Sequence, residues 1–109
     1  MEVGTVVKAV FPQADRQIKV RPAVIIKFVP PYNDCMICAV STQTGLLIPE
    51  LDIMLDKNSN EFTTSGLLRE SIIRVGMVAT VPDTLLLGAI GKISQATCEK
   101  IIFQLKKFL

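Results

Sequence analysis

The chain has 109 residues and a mass of 12.0 kDa; half its residues are apolar, one fifth are charged, and the net charge is +2. This length argues for one domain, residues 1–109, and the apolar content excludes an intrinsically disordered chain. Histidine is absent, which excludes Ser-His and Cys-His nucleophiles and histidine metal sites. Acid–base work would fall to Arg, Lys, Asp, Glu, Ser, Thr, Tyr or Cys.

At this mass, surface scaling gives roughly 6,000 Å² exposed when folded against about 17,000 Å² unfolded, enough to fold without staples. The apolar excess suggests a permanent partner. Charge is uneven: five basic and two acidic side chains in residues 1–30, two and six in 31–70, five and two in 71–109. Two mildly basic ends flank an acidic middle, and a basic face serves a polyanion only if folding gathers it.

From the N-terminus, Val3 to Phe11 is β-rich, with Val7, Ala9 and Phe11 on one face, and Pro12 ends it. Gln13 to Lys19 is polar and reads as a surface loop. Ala23 to Val29 is nearly continuously apolar, the pattern of a strand covered on both faces. Pro30 to Asp34 is a turn, and Cys35 to Val40 a further apolar strand that ends in Ser41-Thr42-Gln43-Thr44-Gly45. Leu51, Ile53 and Leu55 alternate with Asp52 and Asp56, predicting a half-exposed strand with its acids outward. Asp56 to Ser65 reads as a loop. Ser71–Val75 and Met77–Val81 read as two short strands with Gly76 as a kink or bulge between them. Pro82-Asp83-Thr84 opens a turn or a short helical turn, and Gly88 to Ile93 reads as a last strand.

The end differs. Ser94 can cap a helix. Cys98, Ile101, Ile102, Leu105, Phe108 and Leu109 follow helical spacing, and Lys106 and Lys107 suit the negative end of the helix dipole. These signals predict a helix over 95–108. Six or seven short strands and one C-terminal helix make a mainly β fold, a small barrel or a strongly bent sheet.

The cysteines are Cys35, Cys38 and Cys98. Cys35 and Cys38 have redox or zinc spacing, but they lie in a strand, where positions i and i+3 point to opposite faces. Three reduced thiols in a cytoplasmic protein is the expectation, with no metal. Neither a basic, apolar leader nor a run approaching a membrane span stands out.

Four segments carry a family resemblance. Gly4-Thr5-Val6-Val7 leads into the strand ending Phe11-Pro12. Arg21-Pro22-Ala23-Val24-Ile25-Ile26 follows a charged loop. Cys38-Ala39-Val40-Ser41-Thr42-Gln43 runs into a hydroxyl pair. Ser71-Ile72-Ile73-Arg74-Val75 precedes the strand ending Ala79-Thr80-Val81. In this order, with Gly91-Lys92-Ile93 and the terminal helix, they resemble the PemK/MazF toxin endoribonucleases of type II toxin–antitoxin systems, over about residues 3–107. The resemblance implies an SH3-like barrel with a C-terminal helix, usually a homodimer. It also implies growth inhibition by metal-independent, sequence-selective cleavage of single-stranded RNA, without cofactor, in the cytoplasm. The expected partners are a cognate antitoxin, which covers the active groove, and RNA; DNA is reached only through the antitoxin, and no membrane is involved.

Such cleavage uses the ribose 2′-OH as nucleophile on the adjacent phosphate, so the enzyme must move two protons and stabilise charge at phosphorus. Arginine grips two phosphate oxygens at once, and hydroxyls add short donors. The resemblance points to Arg21, to Ser41 and Thr42, and to Arg74 as general acid. Gln13, Arg16, Lys19 and Gln43 are the expected RNA contacts, the two cations for phosphate and the two amides for base edges. Aromatic residues for stacking are few. Two positions depart from the family: Gly76 and Thr5 stand where some members carry acids. The base is therefore open between solvent, with Ser41 or Thr42 orienting the 2′-OH, and Asp15 or Asp34. A slow or inactive enzyme is the other outcome. Two further readings are a non-catalytic barrel that binds an antitoxin-like peptide or RNA, and a gyrase poison on the same barrel, which the Arg-Pro and Ser-Thr segments fit less well.

Overall fold

A computed structural model describes residues 1–12 and 15–109; Gln13 lies outside the described residues. Six strands make one antiparallel sheet: β1 (Thr5–Pro12), β2 (Ile18–Val29), β3 (Asp34–Ser41), β4 (Ile53–Leu55), β5 (Ser71–Pro82) and β6 (Leu86–Lys92). Their order is β4-β5-β3-β2-β1-β6. A short helix, α1 (Asn60–Ser65), precedes β5, and a longer one, α2 (Gln95–Phe108), ends the chain. The mainly β class and the terminal helix are as expected. No pairing joins the edge strands β4 and β6 among the described residues, so hydrogen bonds do not close the sheet into a barrel.

Period-2 alternation divides the apolar residues between two cores. Val7, Ala9, Phe11, Ala23, Ile25, Cys35 and Ile37 belong to one. Val6, Val24, Cys38, Val40, Ile73 and Ile101 belong to the other, which Cys98, Ile102 and Leu105 of α2 help to cover. Cys35 and Cys38 thus lie in different cores, as their spacing requires. Ala23 to Ile26 is buried on both faces, but Phe28 is exposed, so the double cover stops short of the strand's end.

The two strands expected around Gly76 are one. The β3–β5 ladder passes from Ala39↔Arg74 to Cys38↔Val78, so Val75, Gly76 and Met77 form a bulge. A bulge leaves backbone groups without ladder partners. Here Asp52 Oδ1 accepts from the Val75 N–H at 3.2 Å, and the Cys38 thiol points at the Val75 carbonyl at 3.9 Å. Asp52, expected on the solvent side, is therefore buried, while Leu51, Ile53 and Leu55 point inward as their alternation predicts.

The segment read as a loop before Ser65 contains α1. Ser59 caps it by accepting from the Phe62 N–H at 3.2 Å, and Gly66 ends it in the left-handed conformation, φ +74°. A Cβ on Gly66 would overlap the Ile90 carbonyl, so its absence lets α1 seat directly on β6. α2 starts at Ser94, whose Oγ accepts from the Thr97 N–H at 3.2 Å. Glu61 of α1 adds a clasp: its carboxylate accepts from the Ser94 N–H at 2.6 Å and the Thr97 hydroxyl at 2.7 Å. Phe108 and Leu109, read as part of the buried stripe, are exposed, and Gln104 is buried instead.

Candidate active site

The β2–β3 register sets Ala23 opposite Ala39. Two residues beyond that pair stand Arg21, the fourth residue of β2, and Ser41 at the end of β3. The same end of the sheet opens into a groove of about 620 Å³ lined by Arg21, Ser41, Thr42 and Gln43. The segment after α1, Gly66 to Arg69, forms a facing wall, and Lys8 and Ile90 reach it from β1 and β6. Arg21 and Ser41 are half-buried, and Thr42 and Gln43 are exposed. Ser41 Oγ accepts from the Gln43 N–H at 3.1 Å, which turns the chain as it leaves β3 and holds the hydroxyl at the rim.

The groove is electropositive. Lys8, Arg21 and Arg69 line it, and none of the described lining residues is acidic. It offers guanidinium, ammonium and hydroxyl donors to an anion, and no carboxylate to ligate a hard cation. Lys8 and Arg69 were missed in the sequence. Lys8 sits in a β-rich run with nothing local to mark it, and Arg69 follows two leucines before an acid. Only the non-local meeting of β1, β2 and the α1–β5 connection gives them a common address.

Arg74 is elsewhere. It lines a second cleft of about 440 Å³ between the residues preceding β4, the bulge and the end of α2. Its Nε lies 3.2 Å from Asp52 Oδ2, with side chains 21% and 1% exposed. The Nε–H is not aimed at that oxygen and makes no hydrogen bond, so the contact is an ion pair only. Asp52 Oδ2 also accepts from the Ile48 N–H at 3.0 Å. The structure thus brings together Arg21, Ser41, Thr42 and Gln43 but leaves Arg74 with the bulge.

Arg16 and Lys19 are exposed on the β1–β2 hairpin and do not line the groove. Asp15, next to them, accepts from the Gln17 N–H at 3.0 Å. Asp34 stands at the opposite end of the eight-residue β3 from Ser41, roughly 23 Å away at the rise of a strand. Thr5 is buried, with its hydroxyl 2.7 Å from the Glu2 carbonyl, to which it donates, and 3.1 Å from the Glu2 N–H, from which it accepts. Gly76 belongs to the bulge, near Leu51 and Phe108.

All three cysteines are free. Burial pushes the Cys38 thiol from its ordinary value of 9.0 up to about 12. Cys35 is raised by burial and then by the charges of Asp83 and Asp34. Cys98 is raised by burial and then by Glu61 and Glu99, against a lowering from a backbone hydrogen bond. A protonated thiol is a poor nucleophile, so these are packing groups.

The architecture is that of the MazF toxins. The structure is similar to "Mycobacterium tuberculosis toxin MazF-mt6" with a TM-score of 0.69 at 18% identity, covering 94% of this chain and 93% of that one. It is also similar to "Endoribonuclease from Mycobacterial species", TM-score 0.66 at 15% identity, over 98% and 88% of the two chains. A third similar structure is "Endoribonuclease in complex with its cognate antitoxin from Mycobacterial species", TM-score 0.64 at 14% identity, over 95% and 89%. At these identities the likeness establishes the fold. No curated protein matches the sequence. The profile of the PemK-like, MazF-like toxins of type II toxin–antitoxin systems matches residues 2–109, and the chain belongs to that family. No helix among the described residues is long and apolar enough to cross a membrane.

Proposed function

We propose that this toxin is an endoribonuclease that cleaves single-stranded RNA in the Arg21–Ser41–Thr42 groove, without a metal ion. The observation that carries the reading is the groove itself: an arginine and a hydroxyl pair at one rim, walled by further cations, with no carboxylate among the described lining residues. Arg21 grips the scissile phosphate and stabilises its extra charge, where preorganised donors give the largest catalytic effect. Ser41 and Thr42 orient the phosphate and the 2′-OH. Solvent takes the 2′-OH proton and returns one to the 5′-oxygen as the P–O5′ bond breaks, because no described lining residue is a carboxylate that could serve as base or acid. Asp34 is too distant, and Asp15 does not line the groove. Gln43 meets base edges at the rim. Arg74 has no part in the chemistry and stabilises the bulge with Asp52.

Two partners belong to the same reading. In this reading the groove is the surface an antitoxin segment covers; a similar structure of an endoribonuclease in complex with its cognate antitoxin supports the antitoxin as a partner. A second copy of the chain supplies the permanent partner, for which the exposed Ile18 and Val20 on β2 offer apolar surface. The exposed area of 6746 Å² exceeds the roughly 6,000 Å² expected for a monomer of this mass, in keeping with surface held for partners.

The test is incubation of the protein with a long single-stranded RNA in EDTA, beside an Arg21→Ala variant. Discrete fragments ending in 2′,3′-cyclic phosphate are expected from the wild type. The variant should be slower by about 10²–10³-fold, the usual loss of one preorganised charge donor. No cleavage at high protein concentration would overturn the reading. It would leave a non-catalytic barrel that binds peptide or RNA, the reading that the missing base favours.

A further inference from the structure

Three features of the groove's outer wall remain unused by the chemistry at Arg21: its rigidity, its charge, and the placement of its neighbouring acid. The wall is the four residues Gly66 to Arg69. It is pinned at its start, where Gly66 adopts φ +74° against the Ile90 carbonyl, and where the Leu67 N–H donates to Ser65 Oγ at 3.2 Å. It is pinned again at its end, where the Ser71 hydroxyl donates to the Arg69 carbonyl at 2.8 Å. The acid that could neutralise Arg69, Glu70, is turned to the other side of the chain, where it accepts from the Lys57 N–H at 3.3 Å. Among the described residues neither Arg69 nor Lys8 forms an ion pair.

A cation on a fixed backbone, without a carboxylate partner and facing a groove, is set to meet an anion at small ordering cost. We propose that Arg69 binds a backbone phosphate of the RNA next to the one gripped by Arg21, while Lys8 adds to the positive field of the groove from β1. Arg69 is then a substrate-binding residue that places the chain in register, while Arg21 acts on the scissile group. The assignment rests on the ribonuclease reading of this groove. It goes beyond it by fixing where the strand runs: over the α1–β5 connection, rather than along the β1–β2 hairpin that carries Arg16 and Lys19.

The probe is a mixed-sequence, fluorescently labelled 2′-O-methyl RNA, which cannot be cut because its 2′ oxygen carries no proton. Binding is followed by anisotropy from 50 to 300 mM KCl. Each phosphate contact to a single strand contributes about 0.7 to the slope of log K against log salt. Arg69→Ala should lower the slope by about 0.7 and weaken binding several-fold at 100 mM. Arg69→Lys should keep the slope, and Arg16→Ala should leave it unchanged. On cleavable RNA, Arg69→Ala should raise KM and leave kcat within about twofold, the pattern of lost uniform binding. Thermal unfolding of each variant keeps a folding defect from passing as a binding defect. If the wild type cleaves RNA and Arg69→Ala keeps its full salt slope, the Arg69 assignment fails and the ribonuclease reading stands. If the wild type neither cleaves RNA nor binds the probe in a salt-dependent way, both fall.

Discussion

Removing the Asp52 carboxylate should destabilise the fold more than removing any exposed charge. Asp52→Ala strips an acceptor from two backbone donors and a counter-ion from Arg74. The Val75 N–H is buried in the bulge and no strand can take it, so its loss costs about 2 kcal/mol, within the usual range for an unsatisfied buried donor. The Ile48 N–H is only partly buried and water can reach it, so about 1 kcal/mol is the reasonable loss there. The ion pair adds about 0.5 kcal/mol, discounted because Arg74 is partly exposed and its Nε–H is misaligned. The sum is about 3–4 kcal/mol, a large share of the roughly 5–15 kcal/mol that holds a domain together. For a chain of this size it lowers Tm by about 12–25 °C. Urea unfolding of the wild type, Asp52→Ala, Arg74→Gln and the double variant is the assay. Arg74→Gln should cost under about 1 kcal/mol, and the coupling between the two sites should be of similar size. An Asp52→Ala variant within 1 kcal/mol of wild type would refute the claim that this carboxylate satisfies the bulge. An Arg74→Gln variant that folds normally but fails to cleave would return Arg74 to the chemistry.

Glu61→Ala, which opens the clasp between α1 and the start of α2, should lose about 2 kcal/mol in thermal unfolding, two charge-assisted hydrogen bonds being partly replaced by water. Glu61→Gln should lose about half of that, since one acceptor oxygen survives. Gly66→Ala puts a Cβ on a left-handed residue, at a cost of about 1 kcal/mol before any contact, and then drives it into the Ile90 carbonyl. A Tm lower by more than about 10 °C is expected, with cleavage impaired as the wall shifts; an unchanged Tm would show that α1 does not seat on β6. Stability should also fall in alkali. A thiol raised in the folded state contributes stability that is complete below its unfolded value near 9.0 and is lost as pH climbs toward the folded value of about 12. From about pH 10 towards the folded value the slope approaches about 1.4 kcal/mol per pH unit for Cys38. Urea midpoints from pH 7 to 10.5 should show it, and Cys38→Ala should flatten the curve relative to its own stability at pH 7.

What the sequence revealed followed the range of the forces involved. α2 was legible because its apolar spacing repeats over four turns and Ser94 caps it. The inward face of Leu51, Ile53 and Leu55 and the break at Gly76 were local signals of the same kind. α1 was not legible as a helix: six residues are too few for a periodicity, although Ser59 and Gly66 mark its two ends. Asp52 reads as a solvent-facing acid in its own strand. It is buried because a bulge 23 residues away needs an acceptor, and no local pattern announces that. The groove divides in the same way. Arg21, Ser41 and Thr42 were found through segments resembling a family. Lys8 and Arg69 carry no local mark and join them only through sheet order.

The placement of Cys35 and Cys38 has a use beyond packing. One strand carries a free thiol into each of the two cores, so β3 holds two chemical reporters on the same backbone segment. Labelling during transient opening measures each core's opening free energy separately. Because β3 lies between β5 and β2, neither core can release its thiol by fraying an edge strand alone. Equal labelling rates for the two cysteines would mean that the sheet opens as one cooperative unit. A faster Cys35 would mark the core without α2 as the part that yields first.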